Sequence, residues 1–310
     1  MTKNNKKYKF IDLFAGIGGF HIALHNLGAE CVFASEIDKY ARETYKTNFI
    51  KISPELFKKN HFNDDITSIK EEEIQETIPD FDILCGGFPC QPFSQAGFKK
   101  GFDDHRGNLF FNIARIIDQK QPAAFFLENV RHLVSHDDGR TFSTIRSIIE
   151  NDLGYSFYSA VLKASDFGLP QHRPRIFIVG FKEDKFIRDE KESFKFPKPK
   201  KELDLTMSDV WEAKCDRDIG LTLRVGGRGS PIDDRRNWDG YRVNGEVRRL
   251  TPKEGKRMQG FPDDFYFPVT DIQAMKQLGN SVAVPVIQNI AYEIVQYLEK
   301  LHKKENNGFK

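Results

Sequence analysis

"YKFIDLFAGIGGF", residues 8 to 20, decides how the fold is read. An apolar run enters glycines at 16, 18 and 19, which reads as a buried strand followed by a tight turn. "GGFHIALHNLG" then carries apolar residues at helical spacing and stops at Gly28. "ECVFASE" supplies a second strand and "DKYARETYKTNF" a second helix. Strand, glycine turn, helix and strand make a βαβ unit.

The rhythm continues outward. "DFDILCGG" reads as a strand, "NLFFNIARIIDQK" as a helix, "AAFFLENV" as a strand and "TFSTIRSIIENDLG" as a helix. "YSFYSAVLKA" and "RIFIVGF" are later strands, and "VPVIQNIAYEIVQYLEKL" is a final helix able to dock back on the sheet. Alternating strands and helices predict an α/β fold, a doubly wound, mostly parallel sheet. Ligands of such sheets sit beyond the carboxyl ends of the strands. Gly16, Glu36, Asp65, Pro89 and Glu128 all fall at or just after predicted strand ends, so one cleft can collect them.

The chain has 310 residues, 39% hydrophobic and 30% charged, enough for a large domain and a smaller one. A net charge of +2 is too mild to name a partner, so any basic face must be local. Cysteines at 31, 85, 90 and 215 form no CxxC pair, which argues against a zinc cage, and nothing suggests a disulfide scaffold. The histidines at 105, 132, 136 and 172 lack metal-ligand spacing, so no metal is expected. "MTKNNKK" has no apolar signal core and no stretch resembles a membrane span, which points to a reducing cytoplasm. "SDFG", residues 165 to 168, matches a kinase metal motif, but its companion kinase motifs do not occur upstream.

Near residue 183 the texture changes to a charged, Pro-containing segment that reads as a domain boundary. Residues from about 215 to 249 are rich in Gly, Arg and Asp with little helical period. The expected division is 1–185 plus 273–310 as one domain and 186–272 as a smaller, irregular one with a hinge.

Three groups carry candidate chemistry. The turn at Gly16, Gly18 and Gly19 lets backbone approach a ligand, and Glu36 suits ribose hydroxyls. Together they favour an adenosine-bearing cofactor without distinguishing a nicotinamide dinucleotide from S-adenosylmethionine. Cys90 stands in "CGGFPCQPFSQAG", a loop too polar and glycine-rich to be core, whereas Cys85 ends an apolar strand. Glu128 ends "AAFFLE", where desolvation raises a carboxyl pKa toward proton donation near neutrality. Arg173 and Arg175 in "QHRPR" are two apart at a strand entry, so both should face one side and meet one ligand or carboxylate.

In order, "DLFAGIGGF", "GGFPCQPFS", "ENV", "QHRPR", "RRLTPKEGKRMQGFP" and "GNSV" resemble the motifs of the DNA (cytosine-5) methyltransferase family, notably the compact bacterial enzymes of restriction-modification systems. The resemblance spans nearly the whole chain. It implies S-adenosyl-L-methionine as cofactor in a Rossmann-like domain, held by Phe14, Ala15, Gly16, Ile17, Gly18, Gly19, Glu36, Ile37, Asp65, Ile66, Pro89, Leu109, Asn280 and Val282. Ile37 departs from the Trp of some relatives and leaves an aliphatic face for adenine. Cys90 matches the nucleophile that attacks cytosine carbon 6, and Glu128 the residue that binds N3 and the amino group. Arg175 matches the second arginine of QxRxR, which helps hold the base and that glutamate, and Arg173 is counted with it as a catalytic candidate.

The resemblance further implies double-stranded DNA as substrate, read by the target-recognition domain 186–272 and chiefly by 186–247. Gln91, Ser94, Thr222, Leu223, Arg224, Arg228, Arg235 and Arg236 are the expected DNA contacts, and Lys99, Lys100 and Arg106 suit a loop closing on DNA. A bacterial cytoplasmic monomer, with a cognate restriction endonuclease acting separately, completes the expectation. Two rivals stand beside it: a tRNA cytosine-5 methyltransferase and a catalytically silent DNA-binding regulator.

Overall fold

The computed structural model describes residues 7–89, 109–182, 193–200 and 202–308. Its main sheet contains β1 (Lys9–Leu13), β2 (Glu30–Ser35), β3 (Phe62–Asn63), β4 (Ile83–Gly87), β5 (Ala124–Val130), β6 (Tyr158–Lys163) and β7 (Pro174–Phe181). The strand order is β3-β2-β1-β4-β5-β7-β6. Pairs from β3 to β5 are parallel, and β7 runs antiparallel to both β5 and β6. The sheet is therefore mostly parallel, as the alternation of elements implied, with β7 reversed. Chain length explains the reversal. Residues 164–173 alone join β6 to β7, fewer than the roughly a dozen or more that a parallel crossover needs.

Strands buried on both faces read as continuous apolar runs, and side-chain alternation divides the core into two clusters. Phe10, Cys85 and Phe126 face one cluster; Ile11, Leu84 and Phe125 face the other. Helix α1 (Gly19–His25) and the C-terminal helix Val284–Gly308 cover the first face. Helices Leu109–Lys120 and Arg140–Ser147 cover the second. Helix α2 (Lys39–Phe49) starts where Asp38 Oδ1 accepts the backbone N–H groups of Tyr40 and Ala41. The single helix expected over residues 141–154 is instead Arg140–Ser147 followed by a π-helical turn, Ile148–Asp152.

The Gly-Arg-rich stretch contains a hairpin of β8 (Gly240–Val243) and β9 (Glu246–Arg249). Asn244 and Gly245 at its tip have φ of 53° and 86°, the left-handed pair that a two-residue hairpin turn requires. Trp238, Tyr241 and Leu223 are buried in the same apolar cluster as α1. Short helices Met207–Trp211, Pro252–Met258 and Asp271–Asn280 surround them, each capped by a threonine. No described helix is long and apolar enough to cross a membrane.

Candidate active site

The first turn after β1 is left-handed at Phe14, Gly16 and Gly18, with φ of 55°, 55° and 85°. A Cβ on Gly16 would meet no atom nearer than Phe14 O at 4.0 Å, so this backbone is open to a ligand. Glu36 holds the turn in place. Its Oε2 accepts the Gly16 N–H at 2.7 Å and its Oε1 the Asp38 N–H at 2.8 Å. Burial pushes the Glu36 pKa up, against the lowering effect of those backbone donors.

Gly18 and Gly19 have a different task. A Cβ on Gly18 would stand 2.2 Å from the Phe49 ring, and one on Gly19 2.5 Å from Val282 Cγ2. The two glycines allow close packing behind the turn. Together with Ala15 and Val282 they lie outside the lining of the adjacent cleft.

That cleft, of about 430 Å³, opens at the carboxyl ends of β1, β2, β4 and β5. Phe14, Gly16 and Ile17 form one wall, and Glu36, Ile37, Asp65 and Ile66 another. Pro89, Leu109 and Asn280 also line it, and at its far side stand Glu128, Arg173 and Arg175. Asp65 is fixed by local bonds: its Oδ1 accepts the Thr67 N–H at 2.9 Å, and its own N–H donates to Asn63 Oδ1 at 2.9 Å. Sequence reasoning missed Gln273, Lys276 and Gln277, which line the cleft from helix Asp271–Asn280. With Asn280 they follow i, i+3, i+4, i+7 spacing, one helix face, a signal present immediately before "GNSV". The Thr44 hydroxyl donates to Gln277 Oε1 at 3.0 Å, tying that helix to α2.

Sheet register places the catalytic candidates. Glu128 on β5 faces Phe177 on β7, and Val130 faces Arg175. Arg175 is therefore the diagonal neighbour of Glu128, within reach of a long side chain. Its Nε lies 2.8 Å from Glu128 Oε1, both side chains being largely buried. Across the parallel pair Glu128 faces Gly87, the last residue of β4. Burial raises the Glu128 pKa above the ordinary carboxylate value, and the charges of Arg175 and Arg173 oppose that rise. A carboxyl so placed can hold or release a proton at the base of the cleft.

Arg173 does not join Arg175 on one carboxylate, as its spacing suggested. It precedes β7, is buried, and donates to the carbonyls of Leu223, Gly279 and Ser281. Burial pushes its guanidinium down to about 9, so it remains charged near neutrality. Arg173 thus clasps three distant segments together.

Cys90, Gln91 and Ser94 lie outside the described residues, as do Lys99, Lys100 and Arg106. The chain reaches Cys90 directly from β4 through Phe88 and Pro89. Asn129 Nδ2 donates to the Phe88 carbonyl at 2.8 Å and anchors that approach beside Glu128. Cys85 on β4 is fully buried, and desolvation pushes its thiol well above the usual range. It is an inert core residue.

The arginines nominated for DNA separate into two kinds. Arg228 Nε lies 3.5 Å from buried Asp239 and its Nη2 donates to the Leu250 carbonyl at 2.8 Å. Arg236 is closed on Asp234 by two side-chain bonds. Arg224 and Arg235 are exposed and have no hydrogen-bond or ion-pair partner among the described residues. Leu223 departs from the expected DNA contact: its side chain is buried, and its N–H donates to Gln171 Oε1 at 3.1 Å. The Thr222 hydroxyl donates to the His172 carbonyl.

Residues 8–224 and 224–296 match the family model described as C-5 cytosine-specific DNA methylase. Type II methyltransferase M.SsoII of Shigella sonnei is 44% identical, over 96% of this chain and 83% of that protein. Type II methyltransferase M.HhaI of Haemophilus parahaemolyticus is 42% identical, over 92% of this chain and 94% of its own length. Among solved structures, Spodoptera frugiperda DNMT2 superimposes with a TM-score of 0.67 at 20% identity, covering 94% of this chain and 99% of that one, which speaks for the fold. Family model, relatives and architecture agree that the chain belongs to the C-5 cytosine-specific DNA methylase family and is a DNA (cytosine-5) methyltransferase.

Proposed function

We propose that this methyltransferase uses S-adenosylmethionine to methylate carbon 5 of a cytosine flipped out of double-stranded DNA, through a covalent adduct on Cys90. One observation carries the proposal. The Glu128–Arg175 pair and the Gly16–Glu36 turn line opposite ends of one cleft. The lining fits the cofactor. Gly16 leaves its backbone open, and Ile37 is 71% exposed within the cleft, an apolar face for a flat ring. Glu36 and Asp65 are the residues to receive ribose and adenine polar atoms, with Phe14 and Asn280 beside them. When bound, S-adenosylmethionine supplies an electrophilic methyl group.

The chain's own residues make the base reactive. The Cys90 thiolate adds to carbon 6, and the displaced ring electrons collect toward carbon 5 while Glu128 delivers a proton to N3. Arg175 holds the Glu128 carboxyl toward the base. After methylation carbon 5 loses its proton to solvent, the electron pair restores the ring double bond, the carbon–sulfur bond breaks to return the thiolate, and N3 gives its proton back to the Glu128 carboxylate. Flipping is needed because carbon 6 is unreachable within a stacked duplex.

Residues 186–272 are proposed to choose the target, with 186–247 carrying most of the choice. Exchanging 186–247 for a relative's segment should move methylation to the relative's site. The proposed biological setting is protection of bacterial DNA against a separate restriction endonuclease, by a cytoplasmic monomer; the likeness to Type II methyltransferases favours the modification role.

A duplex with 5-fluorocytosine at the target tests the chemistry, because fluorine cannot leave as a proton does. In the presence of S-adenosylmethionine the adduct should survive denaturation and map to Cys90. Cys85→Ser should still form it and Cys90→Ser should not. Normal turnover by Cys90→Ser would overturn the mechanism.

A further inference from the structure

A second, shallower cleft of about 580 Å³ lies beside the catalytic one. Arg175 lines both, so the two are contiguous. It is lined by the basic residues Arg131 and Arg224, by His132, and by the apolar Val134, Val161 and Pro174. Val134 and Val161 are 39% and 44% exposed, an apolar surface left open to solvent.

The charge balance of this cleft is unusual for the molecule. Among the described residues, no carboxylate lines it. Arg175 is paired with Glu128, but Arg131 and Arg224 are exposed and their guanidinium groups have no hydrogen-bond or ion-pair partner among the described residues. Arg228 and Arg236, by contrast, are compensated by Asp239 and Asp234. Two uncompensated guanidinium groups from segments far apart in sequence thus share one concavity, which concentrates positive potential there. Cationic and apolar lining side by side suit a sugar-phosphate unit: guanidinium groups take the phosphate oxygens and the valines take the deoxyribose.

We infer that this cleft seats the phosphodiester and sugar adjoining the flipped cytosine, with Arg131 and Arg224 clamping the phosphate. The inference rests on the reading of Glu128 as the residue that holds that cytosine. An extruded nucleotide needs its backbone held while the base is out of the stack. A clamp contiguous with the Arg175 wall does so on the side away from the cofactor end. Arg131 follows directly on β5, so the strand that carries Glu128 also carries half of the clamp.

The test uses the full chain and a fluorescein-labelled duplex bearing the target found by bisulfite sequencing. In companion duplexes a neutral methylphosphonate replaces, one at a time, each phosphate flanking the target cytosine. One replacement should weaken wild-type binding by about tenfold. Arg131→Ala and Arg224→Ala should weaken binding to the natural duplex and reduce the salt slope by about one each. They should lose little more on the sensitive methylphosphonate duplex. Unchanged salt slopes, or a full further loss in both variants on that duplex, would refute the clamp. Circular dichroism of the variants, which alter exposed side chains, checks that they fold. Failure of the wild type to trap 5-fluorocytosine would instead strike at the catalytic reading.

Discussion

Gly87 leaves the space in which Glu128 holds its carboxyl: a Cβ at position 87 would stand 3.3 Å from Glu128 Oε2. That distance is tight rather than prohibitive, so Gly87→Ala should fold and should displace the carboxyl by a few tenths of an ångström. Single-turnover methyl transfer should fall by about tenfold, with DNA affinity nearly unchanged. Wild-type turnover in Gly87→Ala would show that Glu128 tolerates displacement.

The pH dependence of the same residue has a determined sign. Burial raises the Glu128 pKa, and the Arg175 charge lowers it. The proton-donating form is present below the folded pKa and is lost as pH rises through it. Arg175→Ala removes the opposing charge, so the pKa should rise further. Single-turnover rates should drop by roughly a hundredfold, while the loss at alkaline pH shifts to higher pH. A shift to lower pH would contradict this electrostatic account.

Arg173→Ala should damage stability before chemistry. It removes a buried guanidinium that donates to three backbone carbonyls. Hydrogen bonds from charged groups contribute about 1.5–3 kcal/mol each, so chemical denaturation should register a loss of roughly 3 kcal/mol or more. Arg173→Lys should rescue little, since one ammonium cannot span the positions of a planar fork.

The close approach of Gly19 to Val282 gives a stability cycle. Gly19 has ordinary helical geometry, so the penalty in Gly19→Ala is steric, a Cβ 2.5 Å from Val282 Cγ2. Overpacking of this kind costs about 1–3 kcal/mol. Val282→Ala removes the offending methyl group, and the double variant should be more stable than the two single losses predict. Strict additivity in thermal denaturation would rule out the contact as the cause.

Much of this architecture was legible because buried parallel strands leave long apolar runs and their helices leave a 3.6-residue period. The ends of β1, β2, β4 and β5 were therefore recognisable, and with them Gly16, Glu36 and Glu128. Strand β3 has two residues and carries no period to read. The hairpin at Asn244-Gly245 did leave a signal, in a stretch judged irregular from its composition. Arg173 and Arg175 look equivalent two positions apart, yet β7 begins between them and sends them to different partners. The fates of Arg224 and Arg228 depend on where Asp239 is buried, which only tertiary packing decides. Gln277 and Lys276 share a helix face that the sequence displays beside "GNSV", but that this face turns to the cleft is decided by tertiary packing.

The cleft is lined by Phe14 and Gly16 from one side and by Gln277 and Asn280 from the other. A chain emerging from the ribosome therefore carries its glycine turn long before the facing wall exists. The enclosed cleft forms only once helix Asp271–Asn280 has been made and has docked. A polypeptide that stops before residue 271 holds the residues of one wall of the cleft without those that face them.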